Sequence, residues 1–506
     1  MSNGYWLELC LEMMESYIPE EQESYDDDNL ARAKFHEISS HAIVVAELCN
    51  SSSQNENEQL RVAELFTSIA FGYDATADYK MALYSHKKCL EITEKLFGSE
   101  HPYLATDFSE IAKVYDSLGD YTQALEWYQK ALSIEEIALG EDHPDIASTY
   151  NNIAVAYNNM GEYSKALEWH YKALDIEETA IGEEYADADI ATTYYGIATV
   201  YNNKGEYSKA LEWHHKALDV NENMLDDEHI DNSAIFNGIA LAHHRLADYA
   251  NALKWYQKAL DIEMKVLGEE HPDIATTYNN IAVVYNGQGK YSKALEWFHK
   301  SLDIYVNVLG EEHPFTANAH INIALVHNSQ SDFSRALELL EKALDICTET
   351  LGKEHPNTAA VYNSIALVCD NQGDYPKALE WLKKSLDIFE VKLGKEHPET
   401  ATVYSSIASI YNNQDEYQKA LGWIKKALDV HEKILGLEHP VTANTYNDLG
   451  NIYNGMGNLA NALVWYQKSL DIKEKVLGKE HPHTVVTYEN MAFIHDNQGD
   501  AETHFI

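Results

Sequence analysis

Residues 271–310, HPDIATTYNNIAVVYNGQGKYSKALEWFHKSLDIYVNVLG, carry two helical stripes separated by a turn. In the first, Tyr278, Ile281, Ala282 and Tyr285 fall at i, i+3, i+4 and i+7, which makes one apolar face. In the second, Tyr291, Ala294, Leu295, Phe298, Ser301, Leu302 and Leu309 keep helical spacing. Pro272 suits the first turn of a helix, where its missing N–H costs nothing, and His271 stands at the cap. Gly289 and Gly310 can take positive φ and are expected to close the two helices. The stretch therefore predicts a helix hairpin. Its small residues, Ala282, Ala294 and Ser301, let a neighbouring helix come close.

The pattern recurs along the chain. His-Pro stands at His101, His143, His271, His313, His355, His397, His439 and His481, and His271 and His313 are 42 positions apart. His229 is followed by Ile230 instead, and Tyr185-Ala186 replaces the pair once, beside a two-residue insertion at 185–189. One hairpin cannot bury its own apolar surface, but stacked copies can, so a fixed period of this size predicts an all-α solenoid.

The residues Tyr278, Ile281-Ala282, Tyr285, Gly289, Tyr291, Ala294 and Phe298 resemble the tetratricopeptide repeat, a helix–turn–helix unit of about 34 residues. The longer unit with its L-G-x-E-H-P link is similar to the kinesin light chain variety, whose second helix is extended. The resemblance covers about residues 62–506. It implies a right-handed superhelix in which the first helices line a concave groove.

About ten hairpins are expected over 62–480, with a partial eleventh at 481–506 of which only the helix Thr484–Asp496 keeps the pattern. That lone helix reads as a cap, although a truncated longer chain would look the same. Residues 1–61 read as an N-terminal helical cap: a helix over 5–18, an acidic linker over 20–28, a helix over 30–49 and a polar loop over 51–57. In the second of these helices Ala31, Phe35, Ile38, Ala42, Val45 and Leu48 are expected on one side. FHEISSHAIVVAELC resembles the helix that precedes repeat arrays in nucleotide-switch proteins of the NB-ARC/NACHT type, but the chain has no G-x-x-x-x-G-K-[ST] phosphate loop. The first repeat carries Ser85 where most copies carry Trp. The irregular junctions at Tyr185 and Ile230 are places where the superhelix could bend.

Charge narrows the partners. The 506 residues hold 37 basic and 82 acidic side chains, a formal charge of −45. Nucleic acid is not expected, because phosphate binding needs clustered Lys and Arg, and neither is an anionic membrane surface. Basic or neutral partners fit better; otherwise the acids only solubilise a long surface. Cys10, Cys49, Cys89, Cys347 and Cys369 form no disulfide framework and no C-x-x-C pair. With no apolar run of membrane-spanning length, and with Glu8 and Glu12 where a signal peptide would be apolar, a cytoplasmic chain is expected.

Catalysis is not expected, and no cofactor or metal either. The junction histidines occur one per repeat, and packed helices lie about 8–10 Å apart, too far for them to share a metal. The pairs His214-His215 and His243-His244 diverge by about 100° on a helix. Cap and surface roles are expected for the histidines. Trp127, Trp169, Trp213, Trp255, Trp297, Trp381, Trp423 and Trp465 occupy one repeated site, with Leu339 in the seventh copy, and packing between repeats accounts for them.

One stripe is harder to assign to packing. Thr276, Asn279, Val283 and Asn286 lie together about 120° from the core face. The same sites elsewhere hold Asn151, Asn158, Asn202, Asn237, Asn328, Asn363, Asn412, Asn447 and Asn454. Asn is a poor helix former, and an amide both donates to and accepts from a peptide backbone. In the resembling family these sites face the groove, so they are the candidate peptide-binding residues, the alternative being solvated filler copied by duplication. Relatives that grip a carboxylate use Lys or Arg there; here only Lys113 and Arg245 do. The expected function is a protein-interaction scaffold or adaptor holding an extended peptide or a helical partner. The alternatives are the sensor arm of a nucleotide-switch system, or a self-associating structural solenoid.

Overall fold

The computed structural model describes residues 29–52, 55–179, 186–224 and 229–498, which form twenty-two α-helices, and no strand occurs among the described residues. α1 is Asn29–Ser52. The hairpins that follow are α2 Glu56–Ala75 with α3 Tyr79–Phe97, α4 Tyr103–Ser117 with α5 Tyr121–Leu139, and α6 Ile146–Asn159 with α7 Tyr163–Thr179. Next come α8 Ala186–Asn203 with α9 Tyr207–Met224, α10 Asp231–Arg245 with α11 Tyr249–Val266, and α12 Pro272–Gly287 with α13 Tyr291–Leu309. The later hairpins are α14 Pro314–Ser329 with α15 Phe333–Thr350, α16 Pro356–Asn371 with α17 Tyr375–Lys392, and α18 Pro398–Asn413 with α19 Tyr417–Val430. α20 Pro440–Gly455 pairs with α21 Leu459–Val476, and α22 Pro482–Gln498 follows alone.

The junctions explain why each helix starts and stops where it does. At all nine histidine anchors Nδ1 accepts the backbone N–H two residues on, at 3.0–3.4 Å. This satisfies one of the donors that a helix start leaves free. Thr316 Oγ1 then donates to the Gly310 carbonyl at 2.8 Å, and Thr358, Thr400, Thr442 and Thr484 repeat the bond. Gly289 and Gly310 have φ of +70° and +97° as the sequence predicts. Ala77, Ala247, Ser331 and Asp415 keep the left-handed turn without glycine.

Packing runs without a break along the array. Phe298 and Tyr256 are buried among the alanines of their own and neighbouring hairpins. Each of the eight repeat tryptophans meets the first-helix aromatic of its own hairpin, as Trp297 meets Tyr278 edge-on at 5.2 Å, and Trp297 also packs against the adjacent repeat. A lysine one turn on covers the indole face, at 3.6–4.5 Å in eight copies.

The N-terminal part departs from expectation. Helix reaches into both ends of the expected polar loop over 51–57: α1 continues to Ser52, and α2 opens at Glu56 with the Asn55 side chain accepting from the Glu58 N–H. Leu48 is 61% exposed. The expected Phe35 and Ala42 are buried, with Ile38 and Val45 packed beside them, but the face continues through Ala46 and Cys49 and not Leu48, because seven residues complete nearly two turns and six do not. The expected helix over 5–18, the acidic linker, Cys10, Tyr185 and the residues after Gln498 lie outside the described residues, while the rest of the insertion opens α8.

Candidate functional site

The array curves with its first helices inside. The first helices α6 and α8 touch directly across adjacent repeats, as do α14 and α16, and α18 and α20, whereas no two second helices approach as closely among the described residues. The inner wall is therefore made from the first-helix residues that do not face the hairpin core. Its middle row is Val155, Thr199, Leu241, Val283, Leu325 and Leu367. Val155 and Leu367 are 44% and 45% exposed, so this row carries uncovered apolar surface.

Amides flank that row on both sides, and four pairs of them bond to each other between repeats. Asn322 Nδ2 donates to Asn279 Oδ1 at 2.8 Å, Asn371 to Asn328 at 3.2 Å, Asn203 to Asn158 at 3.0 Å and Asn490 to Asn447 at 3.2 Å. Asn159 and Asn413 donate in the same way to Asp116 and Asp370. The sequence pattern allows peptide binding or filler for these residues; the geometry adds a third role, stitching one repeat to the next. Asn151 bonds Thr193 and His170, Asn237 bonds Glu263 and Thr277, and Asn202 bonds His214. Asn328 and Asn447 are buried and the other ten candidates are half-buried. Asn202, Asn286 and Asn412, which occupy one repeated site, each leave a buried Oδ1 with no hydrogen-bond partner among the described residues. Asn363 and Asn454 take no part in the ladder, and Val283 packs against the apolar core.

Charge is nearly absent from this wall. From α6 to α18, the sites equivalent to Asn279, Asn280, Val283, Asn286 and Gly287 hold two charged side chains, Arg245 and Asp370. His244 lies there too, pushed down to about 4 by burial, and is neutral at pH 7. Beyond that span the same sites hold Glu110, Lys113 and Asp116 in α4 and Asp448 in α20.

The turns of the coil also touch one another, which the repeat pattern alone does not predict. The coil returns on itself after six repeats, and the histidine anchors of the later turn meet the first-helix ends of the earlier one. Nε2 of His355, His397 and His439 lies 3.1 Å from the carbonyls of Ser117, Asn159 and Asn203, each more than 230 residues away. The His481 ring also lies against the Arg245 backbone. Nδ1 already accepts the cap bond, so the neutral ring carries its proton on Nε2 and donates it across the seam. Beside each ring a proline sits on a glycine: a Cβ at Gly119, Gly161 or Gly205 would come within 2.8, 2.7 or 2.6 Å of Pro356, Pro398 or Pro440. The third contact borders a cavity of about 490 Å³ lined by Lys204, Tyr207, Leu435, Glu438 and His439 among others.

Several histidines are neither caps nor surface residues, contrary to expectation. His86, His170, His214 and His431 are buried. His170 and His214 lie over Gly196 and Gly238 of the next repeat, where a Cβ would come within 2.4 and 2.3 Å of the ring. Glycine inside a helix costs about 1 kcal/mol against alanine, so these two glycines were the available signal. The place where each second helix meets the next first helix holds a different polar pair in different repeats. Thr93 with Asp107, Glu177 with Thr193, Glu263 with Thr277, His431 with Thr445 and Lys473 with Thr487 are within 2.6–3.0 Å. Among the described residues no three His, Cys, Asp or Glu could hold a metal ion, and no helix is long and apolar enough to cross a membrane.

The tetratricopeptide repeat model matches residues 61–136, 108–179, 189–263, 231–305, 273–349, 315–390, 399–475 and 445–503. No curated protein matches the chain. Among solved structures, BtubC from P. vanneervenii is 20% identical, with 46% of this chain and 92% of that one covered at a TM-score of 0.39. The nearly identical TPR-like repeats of a kinesin-light-chain-type protein from Podosopora anserina are 23% identical, covering 40% and 96% at 0.34. A Rap protein complexed with Competence and Sporulation Factor is 14% identical, covering 71% and 99% at 0.42. With the family model matching most of its length, the chain belongs to the tetratricopeptide repeat family.

Proposed function

We propose that this chain is a protein-interaction scaffold, a binding protein and not an enzyme, which holds an extended or helical segment of a partner against its inner wall. The observation that carries this reading is the contrast between a chain of formal charge −45 and an inner wall with almost no charge. Burying an unpaired charge against apolar and amide groups is costly, so the preferred partner segment is neutral, with basic residues tolerated only where they reach the acidic exterior. Apolar contact would come from the row around Val283 and Leu367. Half-buried amides outside the ladder, such as Asn363 and Asn454, would exchange hydrogen bonds with its backbone. A cytoplasmic setting belongs to the same proposal, since Cys49, Cys89, Cys347 and Cys369 are buried free thiols. The test is a random-peptide display selection against the wild type and against a Val155→Glu, Val283→Glu, Leu367→Glu variant. These three changes charge the wall without touching the amide bonds between repeats. Peptides enriched on the wild type should fail on the variant; equal binding would remove the wall as the site.

A further inference from the structure

The seam changes what the inner wall is. A solenoid whose turns stay apart offers an open groove. Here the N-terminal edge of the later turn lies on the C-terminal edge of the earlier one at three hydrogen bonds, with His481 as a fourth contact. The gap between the two turns is thereby bridged over these repeats, while Val155 and Leu367 on the wall stay exposed to solvent.

We infer that the seam is a releasable latch that controls access to the inner wall; for its functional consequence this rests on the wall being the binding site. Three features separate the seam from ordinary repeat packing. Each level holds one neutral hydrogen bond and one proline on one glycine, with Tyr79 of the earlier turn also packed against the later core, whereas each neighbouring pair of hairpins buries a continuous apolar core. The seam is also fitted at its three hydrogen-bonded levels: Gly119, Gly161 and Gly205 meet prolines, with Ala247 at the His481 level, while at the equivalent Gly289, Gly373 and Gly457 a Cβ would meet nothing within 4 Å. Lastly, the histidines that close the seam are the ones that cap their own helices, so closure needs no further side chain. Many weak, equivalent contacts in one line open together when the coil extends, and a ligand that prefers the extended coil shifts that equilibrium.

The glycines supply a matched pair of variants. Gly119→Ala, Gly161→Ala, Gly205→Ala drives three methyl groups into the seam prolines. Gly289→Ala, Gly373→Ala, Gly457→Ala imposes the same left-handed strain, since all six have φ of +66° to +80°, but enters open space. Each is combined with Leu367→Cys as a reporter and Cys10→Ser, the other native thiols being buried. The seam variant should enlarge the maximum dimension in small-angle X-ray scattering. It should also raise the labelling rate of the reporter by a bulky polyethylene-glycol maleimide about tenfold or more, as expected when a minor open state becomes the major one. The control variant should do neither. Equal scattering and equal labelling in the two variants would overturn the latch, and so would enlargement without faster labelling. Should the alanine variants fold poorly, His355→Asn, His397→Asn, His439→Asn keeps a cap acceptor but not the reach across the seam. Its control is His101→Asn, His143→Asn, His229→Asn, and the same pair of outcomes decides. Neither readout involves a partner, so failure of the latch is distinguishable from failure of the wall in the display selection.

Discussion

The imidazole of His397 bonds in two directions: Nδ1 accepts the Glu399 N–H at 3.1 Å, and Nε2 donates to the Asn159 carbonyl at 3.1 Å, one full turn of the coil away. One ring therefore starts a helix and joins two turns. Its two jobs can be separated by substitution. His397→Ala loses both, about 1 kcal/mol for the cap and about 1 kcal/mol for the hydrogen bond. His397→Asn should retain most of the cap and lose only the second. Chemical denaturation should rank wild type above His397→Asn, and that above His397→Ala; an Asn variant as weak as the Ala variant would show that the cross-turn bond and not the cap dominates.

The fit of His170 against Gly196 makes a prediction of opposite sign in two backgrounds. Gly196→Ala would gain about 1 kcal/mol of helix propensity, yet its methyl group would stand within 2.4 Å of the His170 ring. In the wild type the substitution should destabilise. In a His170→Ala background, where the ring is gone, it should stabilise. A double-mutant cycle reads the coupling directly, and additive effects would refute the contact.

The amide ladder should matter with no partner present. Asn279→Ala removes the acceptor of the Asn322 amide, a loss of about 1 kcal/mol. Asn363→Ala, at a side chain outside the ladder, should cost less. Thermal denaturation of the two variants separates stitching from filler.

Stability should fall on both sides of neutrality, for different residues. Burial pushes His170 down to about 4 and His214 to about 3. With folded values below the unfolded 6.5, their contribution is fully present above pH 6.5 and is lost as pH falls through 4. Burial raises Glu263 to about 7, against hydrogen bonds from Thr277 and Asn237 that favour its charged form. Its contribution is present below the unfolded value of 4.5 and is lost as pH rises through 7. Denaturation midpoints measured from about pH 4 to 9 should show His170→Gln, His214→Gln flattening the acid limb. Glu263→Gln should flatten only the alkaline limb.

The hairpins could be read from the sequence because their causes are local. Tyr278, Ile281, Ala282 and Tyr285 share a face by spacing alone, His271 and Pro272 start a helix wherever they stand, and Gly289 ends one. The candidate stripe was legible to the same extent: Asn279 and Asn286 were placed on one face, outside the core. Their bonds were not, because each runs to a residue of the next repeat and depends on the angle between hairpins. The seam lay further out of reach. His355 and Ser117 are 238 positions apart, and their meeting follows from a small rotation per repeat summed over six. Pattern reading sees one repeat at a time, and one repeat does not contain that angle. The buried His170 and His214 were missed for another reason. Their counterweight was two mid-helix glycines, Gly196 and Gly238, whose meaning appears only beside the ring.

An uncharged wall should select an uncharged segment, and salt tests this most directly. The affinity of a peptide enriched on the wild type would be measured from low to high ionic strength. Apolar and amide contacts predict a dissociation constant that is flat or slightly tighter as salt rises, and lost in the Val155→Glu, Val283→Glu, Leu367→Glu variant. Affinity that falls steeply with salt and survives the charged wall would contradict selection by the wall, and would move binding to the acidic exterior.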